Sequence, residues 1–133
     1  MPITYQIDRT RRLIRTKCAG NVTLNEVIGH FRTLERDPEC PDRLNVLLDL
    51  SEMTSLPESE EMRAASYQVA SVRKTVQFES CAVVAVSDAL FGMSRMFAVF
   101  AESWFREILV FRARDEAEAW LAGQEGLINP QSV

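Results

Sequence analysis

The residues best suited to covalent chemistry are few. The chain of 133 residues has one histidine, His30, and three cysteines, Cys18, Cys40 and Cys81. A thiolate activated by an imidazole is a nucleophile, so His30 with Cys18 or Cys81 would form a catalytic pair if the fold joined them. One residue of each kind is a weak signal, and the plainer expectation is a half-exposed surface histidine at the edge of an apolar helix stripe. No Gly-rich phosphate loop and no G-x-S-x-G elbow is present. The cysteine spacings suit neither a disulfide framework nor a zinc site. The sequence therefore argues for no catalytic set, no metal and no cofactor, with all three thiols reduced and Cys40, between Pro38 and Pro41, the exposed one.

A second candidate is the polar stretch LLDLSEMTSLPESEE, residues 47–61. Ligands of open α/β sheets bind beyond the carboxyl ends of parallel strands. Those ends are expected at Asp49 to Glu52, Ser87-Asp88 and Arg112 to Arg114. Yet Glu58, Glu60 and Glu61 crowd the first turn of the following helix, where they complement its dipole and repel phosphate. Capping is the favoured reading, with Ser55 and Glu58 as a capping box and Pro57 in the first turn.

The elements that hold these residues follow from periodicity. ITYQID and RLIRTKC alternate and form a hairpin, with Ile14, Thr16 and Cys18 on one face and Arg15 and Lys17 on the other. Thr23 and Glu26 box the start of a helix with the stripe Leu24, Val27, Ile28, Phe31 and Leu34. LNVLLDL and CAVVAVS read as strands buried on both faces. Between them Met62, Ala65, Val69 and Val72 mark a second helix. Asp88 is placed to cap a third, ALFGMSRMFAVFAES. REILVFR is the last strand, and a short helix from Asp115 is expected to close at Gly123. The order is β-β-α-β-α-β-α-β-α: a single α/β domain over 1–123, with a mixed sheet, an antiparallel amino-terminal hairpin and parallel strands alternating with helices, and an irregular tail over 124–133.

The third helix is apolar nearly all round. Leu90, Met93, Met96, Phe97, Phe100 and Ala101 are expected to face inward, leaving Phe91, Ala98 and Val99 outside around Arg95. Such a helix needs cover from neighbouring helices of the same chain, a second subunit, the tail or an apolar ligand. Phe91, Met93, Arg95, Met96 and Val99 are the candidate interface or ligand surface.

Composition narrows the class. The apolar fraction is 47%, the charged fraction 26% and the net charge −4. These values are ordinary for a globular domain and argue against nucleic acid. The basic hairpin residues Arg9, Arg11, Arg12, Arg15 and Lys17 are better read as charges that protect an exposed strand. Neither a signal peptide nor a membrane-spanning run is evident, and odd cysteines suit a cytoplasmic location.

Taken in order, YQIDRTRRLIRTKCAGNVTLNEV, LLDLSEMTSL, FGMSRMF and DEAEAWL resemble the SpoIIAA-like family over about residues 3–122. That family is related to the STAS domain of anti-sigma-factor antagonists and is also likened to lipid-binding SEC14-type domains. The resemblance implies a STAS-like fold in a small bacterial protein, and a regulatory role through protein contacts, with a homodimer expected. The alternative it implies is a carrier or sensor of an apolar ligand such as a lipid or acyl chain. Sporulation-type antagonists carry a phosphorylated serine in an Asp-Ser-Ser-Gly segment, which falls here on Pro57-Glu58-Ser59-Glu60. Only Ser59 matches, between two glutamates that would repel a phosphoryl group, so Ser59 is not expected to work as a switch.

Overall fold

The structure, a computed structural model, describes residues 3–34, 36–41, 43–56, 77–102 and 105–128. The predicted helix with Met62, Ala65, Val69 and Val72, together with Pro57, Glu58, Ser59, Glu60 and Glu61, lies outside the described residues.

Strands β1 (Ile3–Asp8) and β2 (Leu13–Gly20) pair antiparallel, from Ile3 opposite Cys18 to Asp8 opposite Leu13. The Asp8 carboxylate accepts the Arg11 N–H at 3.1 Å inside the turn. Arg12 closes the turn at φ 50°, a left-handed conformation that costs a non-glycine residue about 1 kcal/mol. Gly20, at φ +74°, turns the chain out of β2 without that penalty, and its carbonyl accepts Thr54 N–H at 2.8 Å. The Thr23–Glu26 capping box forms as the sequence requires, with Thr23 N–H donating to Glu26 Oε1 at 3.0 Å and Glu26 N–H to Thr23 Oγ1 at 3.2 Å. Helix α1 (Leu24–Leu34) follows.

Strands β3 (Arg43–Met53), β4 (Gln77–Val84) and β5 (Glu107–Phe111) then add in parallel, giving one sheet in the order β1-β2-β3-β4-β5. The steps from β2 to β3 and from β4 to β5 move the same way across the sheet, so right-handed crossovers through the helices between them pass over one face. Accordingly α1 and helix α2 (Asp88–Ala101) share a face. There Val27, Leu34 and Phe97 pack with Ile14, Cys18, Val46, Phe78, Cys81 and Val83. The opposite face is covered by helix α3 (Arg114–Ile128), whose Ala117 and Leu121 meet Leu13, Leu47, Ala82 and Val84.

Several features differ from the sequence reading. First, β4 begins at Gln77, before Cys81, because Phe78 is a core residue against Phe105 (ring centroids 5.6 Å apart). Second, the cap of α2 is Ser87, not Asp88: its hydroxyl accepts Leu90 N–H at 3.2 Å. Asp88 instead binds Arg112 at 2.6 Å. Third, α3 passes through Gly123 to Ile128, so 124–128 is helical where a tail was expected. Glycine lowers helix stability by about 1 kcal/mol without forcing a stop. Past it, Gln124 Oε1 accepts Arg106 Nη2 at 2.9 Å, which ties the last turns to the sheet. Fourth, α2 turns a different face inward. Leu90 and Ser94 are buried with Phe97 beside them, whereas Met96 is exposed. At 3.6 residues per turn, positions 94 and 97 lie within roughly 40° of Leu90 and Met96 roughly 120° away.

Candidate functional site

Among the described residues helix α3 rests mainly on β3, β4 and β5 and reaches β2 at Leu13 and Arg15. Beside it the same sheet face is open over β1 and β2, where Thr4, Gln6, Arg15 and Lys17 project. A cleft of about 290 Å³ forms along this margin, lined by Thr4, Gln6, Arg15, Lys17, Asp49 and Arg114, with Leu47 adjoining. Four ion pairs border it. Arg15 is gripped by Glu118 at 3.2 Å, and Lys17 is joined to Glu52. Arg114, in the first turn of α3, stands 3.7 Å from Asp49 Oδ2 and 3.8 Å from Glu118 Oε2, beyond hydrogen-bond distance of both. Asp49 is 6% exposed, and its other oxygen accepts Ser51 N–H at 3.0 Å.

The quoted loop meets this region from the other side. The Ser55 hydroxyl donates to Val22 O at 2.7 Å and accepts Val22 N–H at 3.0 Å, which fastens the loop after β3 to the exit of β2. Glu58, its expected capping partner, is outside the described residues, as is Ser59.

His30 is not a surface residue. It is 7% exposed, with Nε2 2.9 Å from Thr16 Oγ1 and its ring 5.0 Å from that of Tyr5. Burial pushes its pKa down to about 4, so the imidazole is neutral near pH 7. The Tyr5 hydroxyl donates to Asp37 Oδ2 at 2.7 Å; that bond, with burial, raises its pKa to about 12. The thiols are similarly quiet. Burial raises Cys18 and Cys40 to about 11 and Cys81 further. A nucleophilic thiol needs the opposite shift. Cys40, expected to be exposed, is half-buried, with Sγ 3.5 Å from Pro41 O. It is nonetheless the most accessible of the three, so native thiol titration is expected to label Cys40 first, with Cys18 and Cys81 reacting only on unfolding. Faster labelling of Cys81 would contradict this placement.

A second polar cluster, which the sequence reading missed, sits at the amino ends of β3 and β4. Glu79 is 3% exposed. Arg43 Nε donates to its Oε1 at 2.7 Å, and Arg106 Nε lies 3.5 Å from its Oε2. Arg106 also reaches Ser80 Oγ and Gln124. The signal was a glutamate between Phe78 and the apolar run from Cys81, with arginines only at a distance in sequence.

Of the residues singled out on α2, Met93 is half-buried, and Phe91 lies under the Arg112 guanidinium, 4.3 Å from its ring centroid. Arg95, Met96 and Val99 are exposed, the last two at 42% and 63%. The structure thus brings Arg95, Met96 and Val99 onto one outer face and withdraws Phe91 and Met93 from it.

Among the described residues, a five-stranded mixed sheet with crossover helices on one face and helix α3 on the other defines an α/β module of the kind the sequence motifs resemble. The SpoIIAA-like family model matches residues 13–122, and the chain belongs to that family. Its fold is shared by the crystal structure of an uncharacterized DUF3478-family protein with a SpoIIAA-like fold from Shewanella loihica PV-4. The two are 18% identical, with a TM-score of 0.59 over 90% of this chain and 93% of that one. No curated protein matches this chain. Among the described residues no helix is long and apolar enough to cross a membrane.

Proposed function

We propose that this protein is a non-enzymatic cytoplasmic module that acts through protein contacts, as a homodimer joined along α2. Membership of the SpoIIAA-like family fits a binding or regulatory module. The observation that carries the dimer is Val99: it lies opposite Leu90 on the helix and is 63% exposed, beside exposed Met96. Charge supports the same pairing. Arg95 and Glu102 are both exposed and flank Val99. Two copies of α2 packed antiparallel about a two-fold between Ala98 and Val99 bring Arg95 of each against Glu102 of the other. The raised thiol pKa values and the neutral, hydrogen-bonded His30 support a role without covalent catalysis.

The alternative is a carrier of an apolar ligand, such as a lipid or acyl chain. It has less support, since the cleft beside α3 is bordered by charged side chains. Native mass spectrometry of the purified protein separates the two. A dimer free of small molecules is the expected result; a monomer that retains a lipid mass would reverse the order.

A further inference from the structure

The charges bordering the cleft sum to zero: Arg15, Lys17 and Arg114 against Asp49, Glu52 and Glu118. They are not equally satisfied. Arg15 and Lys17 are each closely held by a glutamate. Arg114 and Asp49 Oδ2 instead face each other at 3.7 Å, too far for a hydrogen bond. Asp49 is 6% exposed, and its Oδ2, with no hydrogen bond to the described residues, opens to the cleft. A fork of guanidinium donors and a carboxylate oxygen open to the cleft therefore stand side by side.

We infer that this cleft binds a small zwitterion of the α-amino-acid type. The ligand's carboxylate takes the planar Arg114 fork, which suits two parallel hydrogen bonds. Its ammonium donates to Asp49 Oδ2. A ligand of zero net charge preserves the balance of the six surrounding charges, whereas a simple anion or cation upsets it. The volume of about 290 Å³ lies at the lower end of small-molecule sites, which run from about 300 Å³. Thr4 and Gln6 line the remaining wall, so a short polar ligand side chain fits better than a large apolar one. The cleft is on the sheet face opposite α2. Ligand binding there is independent of the proposed dimer contact, and either can fail without the other.

The test is a titration followed by amide NMR of the full chain, with glycine, serine, aspartate and leucine as probes. N-acetylserine and serinamide, each lacking one charge, are the controls. Saturable shifts at Asp49, Ser51 and Arg114 are expected with serine, at a dissociation constant of about 1 mM or tighter. Arg114→Gln and Asp49→Asn should each weaken binding at least about tenfold, as should blocking either charge of the ligand. Arg114→Lys, which keeps the charge but not the fork, should recover only part. Arg114 is half-exposed, so its variants carry the test even if Asp49→Asn fails to fold. Absence of saturable shifts with all four amino acids would overturn the inference. So would equal binding by Arg114→Gln, or by the blocked analogues.

Discussion

Replacing Arg43 and Arg106 together by methionine is expected to cost the fold about 3–5 kcal/mol. The arginine side chains are themselves 41% and 37% exposed, so their pairing with Glu79 gains little by Coulomb attraction alone. The cost arises at the other partner. Glu79 is 3% exposed, and replacing both arginines strips these two cations from a carboxylate that stays out of water. Against a typical domain stability of 5–15 kcal/mol, that loss approaches unfolding. The asymmetry can be read directly. Adding Glu79→Gln to the double variant removes the buried charge and should restore about half of the loss. Urea denaturation at neutral pH gives all three stabilities; a double variant within about 1 kcal/mol of the unmutated protein would show that Glu79 is solvated in solution.

Acidification should weaken the protein before its carboxylates titrate. His30 in the fold has a pKa of about 4, below the ordinary 6.5 that the unfolded chain recovers. Below pH 6.5 the unfolded state therefore binds a proton that the folded state refuses, and stability falls as pH falls. The effect accumulates between pH 6.5 and 4. By linkage it amounts to about 2 kcal/mol at pH 5 and about 3 kcal/mol at the bottom of the window. His30→Gln keeps a polar group near Thr16 and should flatten this slope between pH 6.5 and 5. Denaturation midpoints measured across that range test it, and an equal slope in both proteins would place the imidazole in water.

Local pattern made the hairpin, the Thr23–Glu26 box and the parallel strands legible, because alternation and capping involve neighbours in sequence. What stayed hidden depends on distant partners. His30 shares a helix stripe with Val27 and Leu34, yet its burial is decided by Thr16 on β2 and Tyr5 on β1. Glu79 lies before the strand that the sequence predicts from Cys81, and its arginines are 36 and 27 positions away, at Arg43 and Arg106. The phase of α2 was misjudged by counting hydrophobic residues rather than angles. Ser94 at 4% exposure takes the inner position that Met96 seemed to claim. The cleft was only half legible. Arg15, Lys17 and Asp49 were each noticed, on strand faces or at a strand end. Their meeting with Arg114 required knowing that α3 covers one half of its sheet face and leaves the other open.

The central claim is a two-fold contact through the outer face of α2. Val99 is the residue to change, since at 63% exposure a glutamate there leaves the core untouched. Phe91, pinned beneath Arg112, would confound contact with folding. Sedimentation velocity of the unmutated protein and Val99→Glu at high micromolar concentration is the direct measurement. The account predicts a dimer for the first and a monomer of unchanged urea stability for the second. An unmutated protein that sediments as a monomer, or a Val99→Glu protein that remains dimeric, would contradict it.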